Sequence, residues 1–248
     1  MSKQIIKKTI AVALIVLSIP FCMRWRSTVE YYFSDERKQA TFLLEFSLTG
    51  TSTVEVRGQE NCQGDEIIIP EKTICCGYLC TVTSIGRGAF LDWHFLKSVE
   101  IPTTVTEINE SAFEGCNGLK SVKIPSSVTR IGEFAFYGCS GLTSVEIPLS
   151  VTEISEYAFY GCSGLTSVEI PSSVTEIGAG AFEGCIGLTN LEIHTSVTEN
   201  EFGRIIRICN GAFKNCHNLN IVIGNFDSYI VERDAFEGCK SVTWKKDM

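Results

Sequence analysis

Residues 118–140, 141–163 and 164–186 read GLKSVKIPSSVTRIGEFAFYGCS, GLTSVEIPLSVTEISEYAFYGCS and GLTSVEIPSSVTEIGAGAFEGCI, three copies of one 23-residue text laid end to end without a gap. A fourth copy, FLKSVEIPTTVTEINESAFEGCN, covers 95–117, and the Ala-Phe pair returns seven times, at 89–90, 112–113, 135–136, 158–159, 181–182, 212–213 and 235–236. Self-similarity at a fixed short period marks a chain of stacked units rather than a single closed core. Apolar residues hold fixed columns, in one unit Leu142, Val145, Ile147, Val151, Ile154, Ala158, Phe159 and Cys162. The alternation Val145-Glu146-Ile147 stops at Pro148, which predicts a three-residue strand with Val and Ile inward and Glu outward. Strands returning in one direction every period stack as a parallel sheet about 4.8 Å apart.

Energetics explain why the units come in series. Burying six or so large side chains contributes roughly 12 kcal/mol per unit. Ordering its residues costs about 1 to 2 kcal/mol each for the backbone alone. A lone unit therefore does not fold, and stability comes from interfaces between neighbours. Phe, the bulkiest column, lies behind the sheet and should spread the back of the stack, leaving the sheet face concave.

The pattern Leu-x-x-Val-x-Ile-Pro-x-x-Val-x-x-Ile-x-x-x-Ala-Phe-x-x-Cys resembles the BspA-like class of leucine-rich repeats over about residues 67–248. The resemblance implies a leucine-rich-repeat solenoid, with a parallel β-sheet on the concave face and turns and short helical segments on the convex side. It also implies secreted or cell-surface proteins, several of them adhesins, and no catalytic residues. An extracellular or cell-surface protein is the expected partner. A structural or spacer solenoid without a specific ligand is the alternative, and neither needs a cofactor.

Three regions follow from the text. Residues 1–23 carry Lys3, Lys7 and Lys8 before an apolar run from Ile10 to Met23, a membrane-targeting pattern. That run is shorter than the roughly 20 residues of a spanning helix, which favours a signal peptide over an anchor. The missing small-x-small cleavage site keeps the anchor open, and with it the one contact with a membrane. Residues 24–66 form an N-terminal capping region, in which 42–48 and 53–56 read as two strands joined by a turn at Gly50. Residues 67–248 are the solenoid. It carries two insertions, one between Pro70 and Thr81 and one over 194–208, both between the strand end and the Ile before Ala-Phe. Both should leave the stack at the same edge.

The net charge of −8 excludes nucleic acid as a partner, because phosphate binding needs clustered Lys and Arg. On the strand centres the outward residues run Glu100, Lys123, Glu146, Glu169 and Glu192. Stacked like charges repel by about 0.9 kcal/mol per adjacent pair in water at that spacing. This acidic stripe is the candidate ligand-binding feature, against the plainer reading of a solvated charged face.

Six of the twelve cysteines stand in a repeat column, and the other six, Cys22, Cys62, Cys75, Cys76, Cys80 and Cys209, lie outside it. Cys116, Cys139, Cys162, Cys185, Cys216 and Cys239 form a column. In-register stacking spaces them too far apart for disulfides and in too straight a row for zinc, so buried thiols are expected. Cys62, Cys75, Cys76 and Cys80 cluster near the N-terminal end, where a disulfide could staple the cap in an oxidising compartment. Free thiols or a metal remain the alternatives there. His94, His194 and His217 sit in repeat columns or adjoining turns, and no nucleophile-base pair or phosphate loop is visible.

Overall fold

The computed structural model describes residues 24–32, 39–58, 65–75, 78–193, 205–224 and 229–244. The targeting pattern of 1–23, Cys62, Cys76, His194 and most of the second insertion lie outside them. Among the described residues no helix is present, and every regular element is a strand.

Each repeat supplies two short parallel strands. The first carries the Ser-Val-Glu text: β4 (Glu66–Ile68), β7 (Ser98–Glu100), β9 (Ser121–Lys123), β11 (Ser144–Glu146) and β13 (Ser167–Glu169) form one sheet in that order. The register is one repeat per strand, with Val99, Val122, Val145 and Val168 side by side. The row resumes as a three-stranded sheet of β15 (Asn190–Ile193), β17 (Asn220–Ile223) and β19 (Ser241–Trp244).

A second sheet was not foreseen from the sequence. It uses the Thr-Glu-Ile text through β8 (Glu107–Ile108), β10 (Arg130–Ile131), β12 (Glu153–Ile154), β14 (Glu176–Ile177), β16 (Ile206–Ile208) and β18 (Tyr229–Val231). Instead of the short helical segments expected on the convex side, the chain there takes this sheet and tight turns. The reason is the backbone: left-handed residues four apart, such as Tyr157 and Gly161 at φ 54° and 68°, interrupt each turn before a helical run can form.

The two strands expected in the capping region are present as β2 (Gln39–Leu48) and β3 (Thr53–Gly58), paired antiparallel. An additional strand, β1 (Arg24–Tyr32), pairs with β2. The first insertion folds as an antiparallel hairpin of β5 (Lys72–Cys75) and β6 (Tyr78–Ile85). β3 pairs in parallel with β6, and β6 with β8, so cap, insertion and solenoid share the second sheet. Leu44, Phe46, Val54 and Val56 are fully buried in one core with the repeat columns.

The Phe column is a continuous row. Phe90, Phe113, Phe136, Phe159, Phe182, Phe213 and Phe236 stack with centroids 5.1 to 5.9 Å apart. Backbone bonds lock the same turns: Phe113, Phe136 and Phe159 each donate an N–H to the Ala carbonyl of the next repeat at 2.8 Å.

Two positions in every turn need left-handed backbone. One precedes Ala-Phe (Gly88, Ser111, Phe134, Tyr157, Gly180, Gly211, Asp234) and one precedes the column cysteine (Gly115, Gly138, Gly161, Gly184, Asn215, Gly238), with φ between 54° and 79°. Glycine meets this demand at no steric cost, whereas Phe134 and Tyr157 do not.

Candidate functional site

The face of the first sheet holds the acidic stripe. Glu100, Lys123, Glu146 and Glu169 are exposed at the ends of their strands and fall in one register line. Pleating puts them outward because Val99, Val122, Val145 and Val168 between the flanking outward positions point into the core. Ser98, Ser121, Ser144 and Ser167 run in a parallel line two residues earlier. Glu192 lies on β15, which opens the separate three-stranded sheet and is paired in register with Val222 of β17. At the N-terminal end the line continues into Ile68, 55% exposed, so the stripe starts beside an apolar side chain.

Polar ladders stiffen this face. The Thr143 hydroxyl donates to the Lys120 carbonyl at 3.0 Å and Thr166 to Thr143 at 3.1 Å. Further along, Asn220 donates to the Thr189 carbonyl and Ser241 to Asn220. The sequence signal for them is partial, since Thr recurs at 143, 166 and 189 where earlier repeats hold Lys97 and Lys120.

Five of the six column cysteines, Cys116, Cys139, Cys162, Cys185 and Cys216, are buried thiols, and Cys239 in the last repeat is half-buried. Each also has a partner that sequence could not reveal: Cys116, Cys139, Cys162 and Cys185 donate to the Phe carbonyl of the preceding repeat at 3.1 to 3.2 Å. Burial pushes Cys116 and Cys216 up to about 12, and Cys139, Cys162 and Cys185 well above the ordinary thiol range. Near neutral pH none is a nucleophile. At the cap, Cys75 and Cys80 lie buried on the paired strands β5 and β6.

On the second sheet a groove of about 400 Å³ runs between Arg130, Glu133, Glu153, Glu156, Glu176 and Cys209. Cys209 stands 3.6 Å from the Glu176 carboxylate. Burial and then the charge of Glu176 raise its thiol to about 11. The histidines brace turns: His94 Nδ1 lies 2.8 Å from the Gly115 carbonyl and His217 Nδ1 3.0 Å from that of Gly238, each bridging to the following repeat. Among the described residues no three His, Cys, Asp or Glu side chains converge on a point that could hold a metal ion.

Sequence reading also missed four aromatic side chains on the turn edge. Phe134 stacks on Tyr157 at 5.2 Å, and Tyr137 on Tyr160 at 4.7 Å. Their signal was a departure from the repeat text, since the flanking units hold Ser111 and Glu114 or Gly180 and Glu183 at the same places.

Two parallel strands, a stacked Phe and a hydrogen-bonded thiol per 23 residues are the physical form of the repeated text. Residues 83–204 and 202–245 match the BspA type leucine rich repeat region in six copies. The chain belongs to the BspA-type leucine-rich repeat family. Among solved structures, the solenoid is similar to a leucine-rich repeat protein of T. pallidum, at 25% identity and a TM-score of 0.63, over 81% of this chain and 83% of that one. It is also similar to a leucine-rich repeat protein of Eubacterium ventriosum, at 24% identity and a TM-score of 0.59, over 79% of this chain and 48% of that one. No curated protein matches the chain at a significant level.

Proposed function

We propose that this leucine-rich repeat protein is a binding module, displayed at the cell surface or secreted, that holds a protein ligand against the face of its first sheet. The observation that carries the reading is the register line of Glu100, Lys123, Glu146 and Glu169, exposed together across consecutive repeats. A rigid, repeated row of solvent-facing side chains is an extended recognition surface, and its carboxylates favour a ligand with basic groups at matching spacing. β15, which carries Glu192, opens the next sheet of the stack, and the insertion hairpin β5–β6 stands at one end with Ile74, Tyr78 and Leu79 exposed. Residues 1–23 would direct the chain to the secretory route, by cleavage or as an anchor.

Charge reversal tests this. Glu146→Lys with Glu169→Lys in the full chain should abolish attachment to cell-surface or extracellular-matrix preparations while the fold persists. Unchanged attachment would reject this face as the binding surface, and no attachment by the unsubstituted chain would leave a spacer solenoid. Sizing the mature N-terminus after cell fractionation tests the surface location independently.

A further inference from the structure

Phe134, Tyr137, Tyr157 and Tyr160 form a two-by-two array on the turn edge, away from the stripe on the first sheet. Two stacks, Phe134 on Tyr157 (10° between planes) and Tyr137 on Tyr160 (4°), stand side by side, with both cross pairs 5.9 Å apart. All four rings are half-buried. The Tyr157 ring leans over Gly180, where an added Cβ would come within 2.4 Å of it.

Packing does not account for these rings. The neighbouring repeats place Ser111 with Glu114, and Gly180 with Glu183, in the same two columns, yet Phe113 and Phe182 beneath them are as fully buried as Phe136 and Phe159. Nor does the backbone invite them. Phe134 and Tyr157 occupy left-handed conformations, φ 56° and 54°, at the position where other repeats use Gly88, Gly180 and Gly211. Bulky side chains are disfavoured there, and a disfavoured choice made in two consecutive repeats calls for a use outside the core.

The surroundings define what fits. The four turn segments 109–117, 132–140, 155–163 and 178–186 contain Glu110, Glu114, Glu133, Glu156 and Glu183 and neither Lys nor Arg. Arg87 engages Glu110 at 2.7 Å. Because the rings stack along the solenoid axis, one outer face of the array looks toward Ser111 and Glu114, while at the other end Gly180 backs the Tyr157 ring and Glu183 accepts from Asn215 at 3.4 Å, which leaves the Ser111 and Glu114 end as the open one. Glu183 is close enough to raise the Tyr160 phenol, after burial. An open ring face beside a carboxylate suits a planar cation, which stacks on the ring while its N–H groups reach the carboxylate.

We propose that the array of Phe134, Tyr137, Tyr157 and Tyr160, with its rim of carboxylates, is a docking surface for an arginine-bearing basic segment of a partner protein. This surface is separate from the first-sheet face and does not depend on it.

The test uses the full chain and labelled peptides of alternating arginine and glycine, with lysine and glutamate counterparts and a neutral oligosaccharide as further probes. Two paired variants put back what the flanking repeats carry: Tyr137→Glu with Tyr160→Glu, and Phe134→Ser with Tyr157→Gly. Both keep residues this fold already accommodates at these places. Saturable binding of the arginine peptide is expected, weaker for lysine and absent for glutamate. Each paired variant should weaken it by at least about tenfold, a change of about 1.4 kcal/mol, with the circular dichroism spectrum retained. The Glu146→Lys, Glu169→Lys chain should keep a wild-type preference for arginine over lysine even where it loses attachment. The proposal is overturned if the arginine peptide does not bind, if the neutral oligosaccharide is preferred, or if the Tyr→Glu pair binds more tightly, which is the signature of charge alone.

Discussion

The central repeats and the last one are written in the same text but live in different surroundings. Phe159 and Cys162 have no exposed surface, and Val145 is 6% exposed. At the same columns of the final repeat, Phe236 and Cys239 are only half-buried and Val242 is 38% exposed. The hydrogen bond from Cys239 to the Phe213 carbonyl is still made, at 3.2 Å, and Phe236 still stacks on Phe213. What the last repeat lacks, among the described residues, is a following repeat to cover it. A repeat is thus completed by its neighbours, and burial in this fold is a property of position in the stack as much as of sequence.

The largest effect that separates the two regions should come from the Phe column. Phe159→Ala is expected to cost about 3 to 5 kcal/mol in chemical denaturation, and Phe236→Ala less than half of that, because the terminal ring gives up less burial. Equal costs would break the comparison and point to a cover over the last repeat.

The second test is steric. Gly141 sits against the preceding turn, where a Cβ would lie 2.2 Å from the Asn117 carbonyl oxygen. Gly141→Ala should cost about 2 kcal/mol through forced backbone movement. Ser241, in the column of Ser144 in the last repeat, makes one exposed hydrogen bond to Asn220 and has no such close approach, so Ser241→Ala should cost about 1 kcal/mol or less.

Thiol chemistry gives a finer reading. Burial raises Cys216 to about 12 but Cys239 only to about 11. Under alkylation at mildly alkaline pH, Cys239 should react roughly tenfold faster than Cys216, and Cys162 slower than either, as mass-spectrometric mapping would report. The sign for stability follows. The folded state favours the protonated thiols, so their contribution is complete below the unfolded thiol value and is lost as pH rises toward 11 and 12. Alkaline unfolding starting above about pH 9, and flattened by Cys→Ala changes in the column, is the expected titration.

The smallest effect should be blind to position. Ser111 and Asp234 both hold left-handed backbone, φ 54° and 59°, in a central and the final repeat. Glycine at either site should stabilise by about 1 kcal/mol, measured as a rise in Tm, because this gain is local. A difference between the two sites would show that the end repeat relaxes even in its backbone.

How much of this was legible beforehand varied by residue. The inward Val and Ile, the stacked Phe row and the free column thiols were all readable, because each follows from a period that puts equivalent side chains on top of one another. The two cap strands were readable as well, through the alternation in 42–48 and 53–56. The second sheet was not, since a two-residue strand such as Glu153–Ile154 leaves no alternation to detect. The hairpin formed by the first insertion was hidden for a related reason: the alternation Lys72-Thr73-Ile74-Cys75 is four residues long, too short to stand apart from a loop. Among the candidate site residues, Glu100 to Glu169 fell into line as the period demanded, while Glu192 follows a break between two sheets. The aromatic array was overlooked because consensus reading discards the variable columns, and Phe134 and Tyr157 occupy one of them.

The sequence alone determined the stacking. A strict period of 23 residues with one Phe, one thiol and three strand-facing aliphatics admits a single way of burying them, each above its copy. The tertiary structure decided which outward residues meet. Periodicity says only that a side chain faces away from the core. Whether Tyr137 reaches Tyr160, Glu176 reaches Cys209, or Val242 is covered depends on turn backbone, sheet breaks and the presence of a next repeat. Those are contacts between repeats, set by geometry that no single unit contains.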